Sequence, residues 1–120
     1  MRVLVVDDHP DTADALQMLL QSAGHTVRVA YDGTQALAIA AELQPELAFI
    51  DIQLPDMSGY AVAKQLRKDL RKRVNLIGIT GGDARNLPFS GNFDQHAIKP
   101  ITAAQLYQLI DVAREAIKAS

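Results

Sequence analysis

The feature that most narrows the folding options is a regular alternation of short apolar runs with longer amphipathic stretches. Val3-Leu4-Val5-Val6 and Leu47-Ala48-Phe49-Ile50 are continuously apolar, and Leu76 to Ile79 is interrupted only by Gly78. Runs of this length without polar alternation suit strands buried on both faces. Thr26 to Ala30 alternates polar and apolar residues, as a half-exposed edge strand would, and His96-Ala97-Ile98 reads as a short fifth strand. Helical patterns fill the gaps. Asp11 to Ser22 sets Leu16, Leu19, Leu20 and Ala23 on one side, with Asp8 or Asp11 available as a cap and Gly24 where a helix would end. Thr34 to Leu43 is rich in Ala and Leu, and Pro45 follows it. Ser58 is placed to cap a helix carrying Val62, Leu66 and Leu70. Thr102 is placed to cap another carrying Leu106, Leu109, Ile110, Ala113 and Ile117.

Strand and helix in alternation predict a parallel sheet with helices on both faces. Right-handed crossovers among five strands favour an α/β, doubly wound, flavodoxin-like sheet in the order 2-1-3-4-5. A dinucleotide-binding half is the alternative, but no G-x-G-x-x-G follows the first run, and no P-loop pattern occurs. The segment from Gly81 to Asp94 breaks the rhythm. Pro88 and Gly91 fall where a fourth crossover helix should run, costing about 3 and 1 kcal/mol in a helix interior. At most one short helical turn is expected between Asp83 and Asn92.

The length of 120 residues fits one domain, 1–120, and 48% hydrophobic with 22% charged residues is ordinary soluble composition. A net charge of −2 gives no footprint for nucleic acid or a membrane surface. With no cysteine, disulfides and thiolate zinc sites are excluded, which suits the cytoplasm. No stretch is long enough to span a bilayer.

In open α/β sheets, ligands bind beyond the carboxyl ends of the strands, where the strand order reverses. The first run ends in Asp7-Asp8, the third in Asp51, the fourth in Thr80 and the fifth in Lys99-Pro100. Each residue alone has an ordinary reading as a cap, a turn starter or a surface side chain. Their convergence at one edge does not. Two like charges about 4 Å apart repel by about 4 kcal/mol at an effective dielectric of 20. Lys99 cannot neutralise three carboxylates, so a hard divalent cation fits, and Mg²⁺ is the usual one in phosphate chemistry. Thr80 offers a hydroxyl and Lys99 a point charge to phosphoryl oxygens.

Asp7-Asp8, Asp51 in D-I-Q-L-P-D-M-S-G, Thr80-Gly81 and Lys99-Pro100 together resemble the receiver domain of two-component response regulators, over essentially the whole chain. The resemblance implies that Asp51 is the phosphoacceptor. It implies that Asp8 binds Mg²⁺ directly, Asp7 through water, and the Gln53 backbone carbonyl as a further ligand. Thr80 and Lys99 would hold the phosphoryl oxygens, and the Lys99–Pro100 bond would be cis. The donor would be a histidine kinase or histidine phosphotransfer domain. Catalysis would be confined to the chain's own phosphorylation and its loss, rather than making it an enzyme. Gln53 and Gly82 would flank the water path, and neither is an acid or base, so dephosphorylation would be slow to moderate. An output protein is implied without being named.

The chain departs from the family pattern at the switch position, three residues before the lysine. An aromatic is usual there and His96 occupies it, as in some hybrid-kinase and single-domain receivers. The plain reading is an exposed edge-strand histidine. K-Q-L-R-K-D-L-R-K-R from Lys64 to Arg73 reads mostly as a solvated basic helix end. His9 and His25 read as unligated loop residues, and Met18 as packing. Two other functions compete. A pseudo-receiver would have lost part of the acid–threonine–lysine set, which is intact. A haloacid-dehalogenase-like phosphohydrolase needs a second Asp where Gln53 stands.

Overall fold

A computed structural model describes residues 1–70, 74–81 and 92–119. The elements are β1 (Arg2–Val6), α1 (Pro10–Ser22), β2 (Thr26–Ala30), α2 (Gly33–Leu43), β3 (Leu47–Asp51), α3 (Gly59–Asp69), β4 (Asn75–Thr80), β5 (Gln95–Ile98) and α4 (Ala103–Ala119). All strand pairs are parallel, and the order is β2-β1-β3-β4-β5. The doubly wound flavodoxin-like sheet expected from the alternation is the one observed. The expected irregularity between Asp83 and Asn92 falls almost wholly outside the described residues.

Successive strand residues feed opposite faces. Val3, Val5, Phe49, Ile77 and Ile79 pack with Leu16, Leu20, Leu106 and Ile110 of α1 and α4. Leu4, Val6, Ile50 and Leu76 pack with Ala36, Ala40, Val62 and Leu66 of α2 and α3. β1, β3 and β4 are covered on both sides, which is why their runs are apolar without alternation. The caps read from sequence are present: Ser58 Oγ accepts from Ala61 N, and Thr102 and Gln105 exchange side-chain-to-backbone bonds.

Several local readings need correction. α1 starts at Pro10, and His9 stands at its N-cap without a side-chain capping bond, so neither Asp8 nor Asp11 caps it. Proline at N1 fixes the helical φ and leaves no N–H to satisfy there. Ala23 is the exposed C-cap, and the buried stripe is Ala13, Leu16 and Leu20. Met18 is 68% exposed instead of packed, because it lies opposite that stripe. His25 is a loop residue as read; it is buried there, and its Nδ1 lies 3.0 Å from the chain's terminal amine. Burial, then the nearby terminal amine and Arg114, lower its pKa.

Arg67 departs from the solvated basic face. Its guanidinium donates to the carbonyls of Val74 and Asn92 and pairs with Asp94, tying α3 to the start of β4 and the approach to β5. His96 is half-buried instead of exposed. It sits beside Gly78 and meets Phe93 edge-on at 5.3 Å, and Phe93 in turn meets Tyr60 at 5.8 Å.

Candidate functional site

Strand order decides which residues meet. β1 and β3 are neighbours, so Asp7 and Asp51 leave the sheet side by side. The ladder continues past the strand ends: Asp7 N donates to Ala30 O at 3.0 Å, Ile52 N to Ile79 O at 2.9 Å, and Lys99 N to Thr80 O at 2.8 Å. These bonds hold the functional residues at one depth. Asp7, Asp51 and Thr80 are buried there, at 0%, 3% and 6% exposure.

Lys99 Nζ lies 2.8 Å from Asp7 Oδ2 and 2.9 Å from Asp51 Oδ2, bridging the two carboxylates. Burial alone would lower the lysine pKa. Hydrogen bonds and charge from Asp7 and Asp51 outweigh it, and the net shift is upward. The ammonium is therefore firmly protonated. The other oxygen of each aspartate is held by its own turn: Asp7 Oδ1 accepts from His9 N, and Asp51 Oδ1 from Gln53 N, each at 2.9 Å.

The loop after Asp51 is anchored elsewhere. Asp56 accepts from Gly33 N, Thr34 N and Thr34 Oγ1 at 2.7–2.9 Å, which fixes the loop to the N-terminus of α2. The Gly33 bond, then the Thr34 hydroxyl, pull the Asp56 carboxyl down to about 2. Gly59 returns the chain against the Asp51 backbone, where its N donates to Ile52 O at 2.7 Å. A Cβ on Gly59 would collide with the Asp51 carbonyl and come within 2.7 Å of Ile52 Cα.

The donor set fits a hard cation. Asp7, Asp8 and Asp51 each bring an oxygen, and with His9 these ligand atoms lie within 4.8 Å of one another. Asp7 Oδ2 is met by Lys99 Nζ at 2.8 Å, while the buried Asp8 Oδ1 has, among the described residues, only His9 Nδ1 nearby, at 3.2 Å. One ammonium against three clustered carboxylates leaves an excess of negative charge that favours a bound cation.

Asp7, Asp8, Asp51 and Lys99 are thus brought together as expected. Thr80 ends β4 beside them, tied through its carbonyl to Lys99. Gln53 approaches through its N–H, and its side chain is exposed. The Lys99–Pro100 bond is cis. Gly82 lies outside the described residues. His96 stands apart from the acid cluster, against Phe93. His9, read from sequence as an unligated loop residue, stands beside the acids, its Nδ1 3.1 Å from Asp7 Oδ1. The signal available for that contact was its adjacency to Asp7-Asp8.

Among the described residues no helix is long and apolar enough to cross a membrane. Residues 3–111 match the family model described as response regulator receiver domain. The regulatory protein VanRc of Enterococcus gallinarum is 31% identical over 88% of this chain and 46% of its own length. The DNA-binding dual master transcriptional regulator RpaA of Synechocystis is 40% identical over 58% of this chain and 29% of its own. This chain therefore spans less than half of these curated relatives. RpaA's name states DNA binding, against the expectation of no nucleic-acid contact, but for a protein of which only 29% is matched. A receiver domain protein (CheY-like) from Methanospirillum hungatei superposes with a TM-score of 0.88 at 31% identity, covering 99% of this chain and 98% of that one. Response regulator TrrA from Thermotoga maritima, in complex with Mg²⁺-BeF, superposes at 0.83 with 27% identity, covering 93% and 97%. With its sheet order, its strand-end acid–lysine cluster and the matched family model in agreement, the chain belongs to the response regulator receiver domains of two-component signalling.

Proposed function

We propose that the chain is a phosphoacceptor switch in which Asp51 takes a phosphoryl group from a phosphohistidine on a histidine kinase or phosphotransfer protein in the cytoplasm. The observation that carries this reading is the Asp51 carboxylate itself. It is buried at the switch point, with one oxygen held by Gln53 N and the other by Lys99 Nζ. In the transfer, a carboxylate oxygen bonds to phosphorus, the phosphorus–nitrogen bond to the donor imidazole breaks, and its electron pair stays on that nitrogen. Lys99 and the Thr80 hydroxyl meet the phosphoryl oxygens. Asp7, Asp8, Asp51 and the Gln53 backbone carbonyl would hold Mg²⁺, which supplies positive charge to the transferring group. The Mg²⁺-BeF complex of TrrA supports the assignment. The chain acts on its own carboxylate, not on a turned-over substrate, and with no acid or base at Gln53 its dephosphorylation is slow to moderate. The intact acid–threonine–lysine set weighs against a pseudo-receiver.

The test is intact-mass analysis after treatment with acetyl phosphate and Mg²⁺. One phosphoryl group is expected on the wild type and none on Asp51→Asn. Full labelling of Asp51→Asn overturns the assignment.

A further inference from the structure

The chain supplies its own donors to the strand-end acids. Lys99 Nζ bridges Asp7 Oδ2 and Asp51 Oδ2 at 2.8 and 2.9 Å. His9 Nδ1 lies 3.1 Å from Asp7 Oδ1 and 3.2 Å from Asp8 Oδ1. We propose that His9 is a displaceable plug on the cation site: its ring holds carboxylate oxygens that Mg²⁺ and its waters draw on, swings out when the cation binds, and so lowers the affinity of the site for Mg²⁺. The proposal rests on the receiver reading of the acid cluster and adds to it a competing contact that sets how much Mg²⁺ the switch needs.

Hydrogen-bond chemistry fixes how the ring is held. An ionised carboxylate only accepts, so the hydrogen in the contact with Asp7 lies on His9 Nδ1. Asp7 Oδ1 also accepts from His9 N at 2.9 Å, so backbone and ring together take up both of its lone pairs. The same Nδ1 sits against the buried Asp8 Oδ1. A donor hydrogen and a divalent cation are both positive and repel at such separations. For these oxygens, a place for the cation is a place lost to the ring.

Of the two donor side chains, His9 is the one that can leave at little cost. Lys99 has a side chain only 17% exposed, held by two buried carboxylates, and its backbone N is tied to Thr80 O. The His9 side chain is 67% exposed. Rotation about its side-chain bonds carries the ring into solvent and leaves the His9 N bond to Asp7 in place. The ring takes no part in capping α1, so the helix that begins at Pro10 is untouched. Contacts between an exposed side chain and a carboxylate are weak, so the plug tunes cation affinity and does not abolish it.

The experiment titrates the whole chain with Mg²⁺ by calorimetry, for wild type, His9→Ala and His9→Gln. The imidazole nitrogens of the wild type are followed by NMR over the same titration. Circular dichroism checks that the variants fold, and the NMR arm needs no variant. His9→Ala is expected to bind Mg²⁺ about three- to tenfold more tightly than wild type. His9→Gln, whose amide can still donate to the acids, is expected to fall between the two. The His9 Nδ1 resonance is expected to move to the position of a solvated imidazole as Mg²⁺ saturates. His25, which precedes β2 at the opposite end of the sheet, is expected to stay where it was. Unchanged or weaker Mg²⁺ binding in His9→Ala overturns the plug and leaves the receiver site standing. So does a His9 Nδ1 resonance that keeps its carboxylate-bonded position in the Mg²⁺-saturated chain. Failure of the wild type to bind Mg²⁺ overturns the receiver reading of the site, and the plug with it.

Discussion

The two turns that carry the acids begin alike and then diverge. After β1, Asp7 accepts from the N–H two residues on. After β3, Asp51 does the same. The β1 turn then enters α1 at once through His9 and Pro10, with no side-chain cap. The β3 loop instead runs outward, fastens Asp56 to the N-terminus of α2, lays Met57 over Gly33, and returns through the Ser58 cap and Gly59. One turn is held by its own shortness and spends its side chains on the site. The other is longer, and its position is set by a neighbouring helix. A carboxylate that collects a cation can sit on a stiff short turn. A nucleophile whose backbone also borders the site needs its loop fixed from outside.

Lys99 joins the two turns, so its removal should break the comparison most severely. Its raised pKa means the stabilisation is complete below the unfolded lysine value and lost only as pH rises through the higher folded value. At neutral pH the full contribution is present. Lys99→Met leaves Asp7 and Asp51 buried and uncompensated, and a loss of about 3 kcal/mol is expected in urea unfolding without metal. Added Mg²⁺ should restore part of it. Stability equal to wild type in metal-free buffer would show that the lysine does not hold the turns together.

Gly59→Ala should come next, and it touches the β3 loop alone. The new methyl meets the Asp51 backbone, so the loop must shift, at about 1–3 kcal/mol. Phosphorylation of Asp51 should slow in the same variant. Unaltered acetyl phosphate kinetics would mean that the close return of the loop is not needed to position the acceptor.

Asp56→Ala should have the smallest effect of the three and the most specific pH signature. The folded pKa lies below the ordinary 3.8, at about 2, so the stabilisation is present above 3.8 and lost as pH falls through about 2. The wild type should melt above the variant from neutral pH to about pH 4. The gap should close on further acidification, as read by Tm. A gap that persists undiminished at pH 2 would count against the Asp56–α2 anchor.

Much of this was legible from local pattern. β3 lies within one residue of its apolar run, and Ser58 and Thr102 cap the helices they precede, because those bonds reach only three residues along the chain. Asp7, Asp51 and Lys99 were recognisable as strand-end residues at the switch point. Met18 and Ala23 were misread because helical spacing does not by itself say how wide the buried stripe is. His96 was misread as exposed because nothing local shows that Phe93 turns inward to meet it.

By itself the sequence determined the element types, their parallel order, and the residues delivered to the carboxyl edge. Those follow from apolar periodicity, capping chemistry and the handedness of crossovers, which act over short stretches of chain. Tertiary structure alone decided which partners those residues have. Asp56 on the α2 N-terminus, Arg67 on Asp94, His9 among the acids and Lys99 between Asp7 and Asp51 join elements or atoms that no periodic pattern pairs. The physical reason is that polar contacts are directional and short. They form only after burial of both sheet faces has set the strands in register, and a shift of an ångström or two would give each a different partner.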